Sequence, residues 1–223
     1  FFAAVPFTTK RELVADQQAH PPFGSNLTYP LDRYSRYSQT SGTSGKPLRW
    51  LDTAESWDWM AGNWTRVFES AGITSADRVF FAFSFGPFLG FWVAFEAATR
   101  MGCLAIPGGG MPTTARLAVI LDASATAQEG IDLSRSKVRN VLVAGEPGGS
   151  IPSTRRRIEE LWPGARLVDH HGLTETGPVS YGCPARANVL HIIESSYIAE
   201  VIEPETGVQV PRGARGELVL TNL

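Results

Sequence analysis

The chain predicts an α/β fold: a parallel sheet flanked by helices, followed by a small antiparallel, barrel-like unit. Three observations carry this. Apolar strand-like runs at 78–83, 103–106, 138–144 and 166–169 are separated by segments with helical periodicity. That alternation implies a parallel sheet covered on both faces. After about residue 188 the helical segments stop, and short strands at 191–193, 197–202, 208–210 and 217–221 take over. Pro204-Glu205-Thr206-Gly207 between them reads as a hairpin turn. The chain therefore divides into an α/β core over 1–188 and an antiparallel β subdomain over 189–223.

Residues 1–38 read as irregular, broken by Pro6, Pro21, Pro22 and Pro30. A Gly/Ser/Thr-rich loop follows at 40–47 with no clear strand before it. Asp52 then opens a helix, with Glu55 placed as in a capping box. Trp57, Met60, Ala61, Trp64, Val67 and Phe68 recur at helical spacing and define its buried face, and Ala71-Gly72 ends it. Strand 78–83 leads to a helix at 88–101, which Gly102 stops. Strand 103–106 runs into the loop Pro107-Gly108-Gly109-Gly110, and Thr113 caps a helix through Leu121. Strand 138–144, helix 153–162 and strand 166–169 complete the core. Arg155-Arg156-Arg157 at the start of helix 153–162 reads as a solvated face.

The chain has 223 residues, 43% of them apolar and 19% charged, as expected of a globular domain with a sizeable core. A net charge of −2 argues against a nucleic-acid partner. The longest apolar stretch, 79–95, is interrupted by Ser84, Gly86, Pro87 and Gly90, so no membrane span is expected. Cys103 and Cys183 do not make a disulfide framework, and no export signal is visible, so a reducing cytoplasm is the expected location. The chain starts at Phe1-Phe2 without an initiator methionine and stops just after a strand-like run, and it reads as a fragment.

Two motifs carry the chemistry. The first is Thr40-Ser41-Gly42-Thr43-Ser44-Gly45-Lys46-Pro47. Its glycines let backbone amides converge on an anion, its hydroxyls add donors, and Lys46 adds a positive charge. Composition alone would favour a solvated Ser/Gly linker. A Walker loop is ruled out, because Thr40 stands where the first glycine is required and Pro47 follows the lysine where a hydroxyl is required. The second motif is His171-Gly172-Leu173-Thr174-Glu175, a planar ring, a hydroxyl and a carboxylate within one turn's reach. It follows a predicted strand directly, as does Gly145-Glu146-Pro147, so both are expected on the carboxyl rim of the sheet, where such folds bind ligands. No nucleophile elbow is present, since Ala82 precedes Ser84 where glycine is needed.

In this order the two motifs resemble those of the adenylate-forming enzymes, and details elsewhere are similar to the phenylacetate–coenzyme A ligase branch. Those details are Gly145-Glu146-Pro147, Leu190-His191-Ile192-Ile193-Glu194, 202–207 and 216–223. The resemblance spans roughly residues 5–223. It implies the large N-terminal domain of the adenylate-forming fold, an acid–thiol ligase that forms AMP. Residues 40–46 would hold the β- and γ-phosphates of ATP, and His171 would lie against adenine in place of the usual tyrosine. Gly145, Glu146, Pro147, Asp169, His170 and Gly172 would border the nucleotide. Thr174 would bind the α-phosphate and Glu175 would coordinate Mg²⁺, these two being the catalytic residues. The family continues past Leu223 with a ribose-binding aspartate and a lysine-bearing C-terminal domain, both missing here. The stretch 121–130 is also too short for the family: a strand and part of a helix, about 25–30 residues by ordinary element lengths, should stand before Ile131. Either they are deleted or the given chain leaves them out, and omission is the reading taken because losing a central strand would leave a hole in the sheet.

The implied substrates are a small carboxylic acid, ATP and coenzyme A, with a homodimer as the implied assembly. Phe85, Phe88 and Gly109 would line a flat slot for an aryl acid, although Phe91, Trp92 and Phe95 read as core. Cys183 and His191 are zinc-ligand types, and a structural zinc would need completion from elsewhere, the other reading being an isolated thiol and a surface histidine. Two other functions remain open. One is a catalytically silent nucleotide- or acyl-adenylate-binding module. The other is acyl loading onto a phosphopantetheinyl carrier protein.

Overall fold

The computed structural model describes residues 6–42, 46–121, 133, 136–145 and 148–223. The expectation of an irregular start gives way to two elements. Helix α1 (Lys10–Ala19) is opened by a capping box: Thr9 Oγ1 accepts from the Glu12 amide at 3.3 Å, and the Glu12 carboxylate accepts from the Thr9 amide at 2.6 Å. No residue of α1 is buried, so it carries no apolar period for a sequence reading to find. Strand β1 (Tyr34–Gln39) pairs antiparallel with β2 (Arg49–Thr53), from Gln39↔Arg49 back toward Tyr34↔Thr53. A strand does therefore precede the glycine-rich motif, which joins the paired strands β1 and β2.

The long helix α2 (Ala54–Ser70) starts later than expected. Thr53, not Asp52, is its cap: Thr53 has extended backbone and its side chain accepts from the Ser56 amide at 3.2 Å. Asp52 stays in β2 and is buried. The apolar face of α2 is as its spacing predicts, with the addition of Asn63. Burying side chains such as Val67 and Phe68 contributes about 1.5–3 kcal/mol each. Gly72, at φ 75°, ends the helix in the left-handed conformation that glycine adopts without penalty.

Two parallel units follow. Strand β3 (Arg78–Phe81), helix α3 (Leu89–Arg100) and strand β4 (Leu104–Pro107) form the first, with Arg78↔Leu104 through Phe81↔Pro107 in register. Helix α4 (Thr113–Ile120) comes next. Strand β5 (Asn140–Val143), helix α5 (Pro152–Leu161) and strand β6 (Arg166–Asp169) form the second. Among the described residues no ladder joins the two units. The short stretch at 122–130, where a segment is expected to be missing, lies outside the described residues. Arg155 departs from the solvated face expected of it. Its Nε donates to the Gly149 carbonyl at 3.1 Å and its Nη1 to the Leu167 carbonyl at 3.2 Å, while Arg156 and Arg157 stay exposed.

The antiparallel part starts earlier than expected, with β7 (Gly172–Leu173), β8 (Gly177–Pro178) and β9 (Ser180–Gly182). Strand β9 pairs with β10 (Leu190–Ile192) across the expected division near residue 188, and β11 (Tyr197–Ile202) pairs with β12 (Glu217–Asn222). The strand expected at 208–210 is reduced to a bridge between Gln209 and Ile202. A buried polar cluster ties this part to α2. Ser196 Oγ donates to Asn63 Oδ1 at 2.7 Å, and Asn63 Nδ2 reaches Tyr197 Oη at 3.4 Å.

Candidate adenylate-forming site

The hairpin loop is closed at its base. Thr40 N donates to the Leu48 carbonyl and Leu48 N donates to Thr40 Oγ1, both at 3.0 Å, with both residues buried. Thr40 therefore fastens the loop's base, while Ser41 and Lys46 are exposed and Gly42 takes φ 70°. Thr43, Ser44 and Gly45, the centre of the predicted phosphate grip, lie outside the described residues.

Strands β5 and β6 end together, with Val143 opposite Asp169. Beyond those ends come Gly145 and His170, whose amide donates to the Val143 carbonyl at 3.3 Å. The two segments predicted on one rim are thus brought together there, although Glu146 and Pro147 lie outside the described residues. Asp169 borders this edge, its carboxyl pushed up by burial.

His170 is 7% exposed and sits edge-on to Trp64, with ring centroids 4.4 Å apart. Burial holds its imidazole down to about 4, so it is neutral at pH 7. Its Nδ1 finds no partner among the described residues. His171 is anchored by its backbone: its amide donates to Ser180 Oγ at 2.9 Å, and its carbonyl accepts from Val179 and Ser180. Burial lowers its ring as well, so a neutral planar imidazole is presented beside the rim. A Cβ on Gly172 would lie 2.9 Å from the Gly177 carbonyl, which explains glycine where β7 meets β8.

The turn between β7 and β8 carries Thr174, Glu175 and Thr176. Tyr197 Oη lies 2.7 Å from the Thr176 carbonyl oxygen and 2.9 Å from that of Pro178, pinning the turn from beneath. The Glu175 side chain is 14% exposed, and Lys10 Nζ of α1 stands 3.0 Å from its Oε1. That oxygen is buried and receives no hydrogen bond from the described residues. Thr174, Glu175 and Thr176 line a cavity of about 380 Å³ together with Asp52, Trp59 and Asn222. Asp52 Oδ1 accepts from Ser56 Oγ at 3.3 Å, and burial pushes its carboxyl up to about 6. Sequence reasoning does not reach Lys10 and Asp52 as neighbours of the site. Thr9 and Glu12 mark where α1 begins, but nothing in the sequence says what Lys10 meets.

The residues predicted for the acid slot follow the ends of β3 and β4. Phe85 is half-buried between Trp92 and Phe95, at centroid distances of 4.7 and 5.5 Å. A Cβ on Gly109 would lie 3.3 Å from the Phe83 carbonyl oxygen and 3.6 Å from the Phe85 ring, so Gly109 and Phe85 face one another. Phe88 meets Phe91 edge-on at 6.0 Å. Arg116 of α4 staples the two loops, its Nε donating to the Gly108 carbonyl at 3.0 Å and its Nη1 to the Ala82 carbonyl at 2.9 Å.

Cys183 and His191 also meet. A hydrogen bond with His191 is the largest of the contacts that bring the Cys183 thiol down to about 7. Among the described residues no group of three or more metal-ligand side chains assembles, at this pair or elsewhere.

No family model matches the chain. The chain is 30% identical to a phenylacetate–coenzyme A ligase of Pseudomonas putida over 239 residues, covering 99% of this chain and 53% of that protein. It is 28% identical to the phenylacetate–coenzyme A ligase of Escherichia coli K12, covering 98% and 52%. Its fold superposes on an open conformation of 2-hydroxyisobutyryl-CoA ligase, solved in complex with 2-HIB-AMP and CoA, with a TM-score of 0.87, 27% identity and 99% of this chain covered. The chain resembles the phenylacetate–coenzyme A ligases along nearly its whole length. It spans about half the length of the curated relatives it matches. A long-chain-fatty-acid–CoA ligase of Archaeoglobus fulgidus, 16% identical with a TM-score of 0.59, shares the fold.

Proposed function

We propose that this chain provides the adenylation site of an ATP-dependent acid–coenzyme A ligase acting on an aryl acid of the phenylacetate type. The observation that carries the reading is the Thr174-Glu175 turn. It is held by Tyr197 and follows shortly after the β6 end, where His170 meets the Val143 carbonyl. In the first step the acid's carboxylate oxygen attacks the α-phosphorus of ATP, forming acyl-adenylate and releasing pyrophosphate. In the second, the thiol of coenzyme A attacks the acyl carbon, and AMP leaves.

Neither step needs a covalent enzyme intermediate. Catalysis is positioning and charge stabilisation. The glycine-rich loop grips the outer phosphates, with Thr40 holding its base and Lys46 and the loop hydroxyls supplying charge and donors. Thr174 donates to the α-phosphate. His171 packs against adenine, with Asp169, His170 and Gly172 shaping that edge. Phe85, Phe88 and Gly109 form the wall of the acid slot. Glu175 fits a hard divalent cation: it is a largely buried carboxylate with oxygen donors only, and its buried oxygen is met by the Lys10 ammonium. When bound, Mg²⁺ would neutralise phosphate charge.

A homodimeric assembly and a cytoplasmic location belong to the same reading. Among the described residues no helix is long and apolar enough to cross a membrane. Acid-dependent ATP–pyrophosphate exchange with a panel of aryl and short aliphatic acids tests the proposal. Exchange with aryl acids is the expected result. ATP binding without exchange for any acid would instead identify a silent binding module. AMP release accelerated by a phosphopantetheinyl protein but not by coenzyme A would identify carrier loading.

A further inference from the structure

Helix α1 is held without a buried residue. Among the described residues its ties are polar and few. Gln17 Nε2 donates to the Arg49 carbonyl at 2.6 Å and Gln17 Oε1 accepts from the Arg49 amide at 3.0 Å, fixing α1 to the first residue of β2. Asp16 accepts from the Ser25 amide at 2.7 Å and from its hydroxyl at 2.6 Å. A further tie is Lys10 to Glu175, at 3.0 Å. So α1 spans from the strand that leaves the glycine-rich loop to the turn that carries Glu175.

The Lys10–Glu175 contact is purely ionic. Oε1 of Glu175 is buried and accepts no hydrogen bond of good geometry from the described residues, so the ammonium neutralises it without locking it. Lys10 is 47% exposed and sits on a flexible four-carbon stem, free to swing. A divalent cation at the same oxygen would be repelled by an ammonium this close. Both positive charges cannot keep that oxygen.

We propose that Lys10 is a transferable counter-ion of the adenylation site. It neutralises Glu175 before nucleotide arrives, yields the carboxylate to the divalent cation, and then pairs with a phosphate oxygen of the bound nucleoside triphosphate. Lys10 thereby makes metal binding depend on nucleotide and adds a phosphate contact that neither motif contains. The inference rests on Glu175 being the metal carboxylate.

The test is binding, not turnover, on the purified chain. Mn²⁺ alone is titrated by electron paramagnetic resonance, and Mn²⁺·ATP by calorimetry, for the wild type, Lys10→Met, Lys10→Arg and Glu175→Gln. Lys10→Met should bind Mn²⁺ alone about tenfold more tightly and Mn²⁺·ATP about tenfold more weakly. Lys10→Arg should stay close to the wild type in both. Opposite signs are the signature, because simple damage to α1 moves both affinities the same way or neither. Either of those results overturns the inference. Glu175→Gln separates the two levels. If it abolishes binding of Mn²⁺ alone while Lys10→Met changes nothing, Lys10 is wrong and Glu175 stands. If Glu175→Gln leaves binding of Mn²⁺ alone unchanged, the metal assignment fails and takes the inference with it.

Discussion

Thr40 and Leu48 exchange two hydrogen bonds of 3.0 Å across the base of the glycine-rich loop, one of them to the threonine hydroxyl. A loop that must present amides to an anion needs its two ends fixed, or the entropy of ordering it is lost from nucleotide binding. Thr40→Val leaves the buried Leu48 amide without its side-chain acceptor, at a cost of about 1–3 kcal/mol. The expected result in urea unfolding is a lower midpoint with weaker ATP binding, while Thr40→Ser retains both. Wild-type-like stability and ATP affinity in Thr40→Val would remove the loop-base role.

Glu175→Gln keeps the size of the side chain and removes its charge. Divalent-cation-dependent exchange should fall to background with circular dichroism and melting temperature nearly unchanged, since Tyr197 holds the turn through backbone carbonyls. Retained exchange would displace Glu175 from its assigned role.

Two buried groups give stability opposing slopes with pH. Asp52 is raised from 3.8 to about 6, so the folded state binds the proton more tightly. Its contribution is present at low pH and is lost as pH rises toward about 6. His170 is lowered from 6.5 to about 4, so the unfolded state binds the proton more tightly. Its contribution grows as pH rises from about 4 to 6.5. The two largely cancel between these limits. Asp52→Asn should expose the rising His170 slope and gain up to about 3 kcal/mol near pH 7, since each tenfold change in proton affinity is worth about 1.4 kcal/mol. Denaturant midpoints measured from pH 4 to 7 check this, and a flat Asp52→Asn profile would count against it.

Gly109 and Arg116 should govern the acid rather than the nucleotide. A side chain at Gly109 would press on the Phe83 carbonyl and the Phe85 ring. Removing Arg116 frees the Ala82 and Gly108 carbonyls that hold the two loops. Gly109→Val and Arg116→Ala are each expected to raise KM for the acid about tenfold, a change of about 1.4 kcal/mol, with KM for ATP little altered. Exchange kinetics with each substrate varied in turn would tell, and an equal rise in both would point to general loosening.

The thiols should differ in reactivity. Cys183 titrates at about 7 through its hydrogen bond with His191, whereas burial raises Cys103. Iodoacetamide at mildly alkaline pH should therefore label Cys183 first, and His191→Ala should slow it by moving the thiol upward. Mass spectrometry of the labelled peptides reads both outcomes.

The face of α2, the strand at Arg166–Asp169 and both chemical motifs are legible in the sequence because each is local. Helical spacing, β-branched runs and short ordered motifs put their signal within a few residues. The start of α2 is ambiguous for the same reason: Asp52 and Thr53 are both good caps, and only the pairing of β2 decides that Asp52 remains in a strand. Helix α1 and strand β1 escape a sequence reading because one buries nothing and the other mixes serines with tyrosines and an arginine.

The sequence by itself determined the chemistry available: a hydroxyl- and glycine-rich loop, a Thr-Glu turn, and an order of motifs that resembles the adenylate-forming enzymes. The tertiary structure decided which of those groups act together. Lys10 meets Glu175, Asn63 meets Ser196, and Arg116 spans two loops, each contact joining residues from separate elements. No local pattern encodes such pairs. They are chosen when apolar faces pack and the polar side chains carried with them must find partners or remain costly to bury.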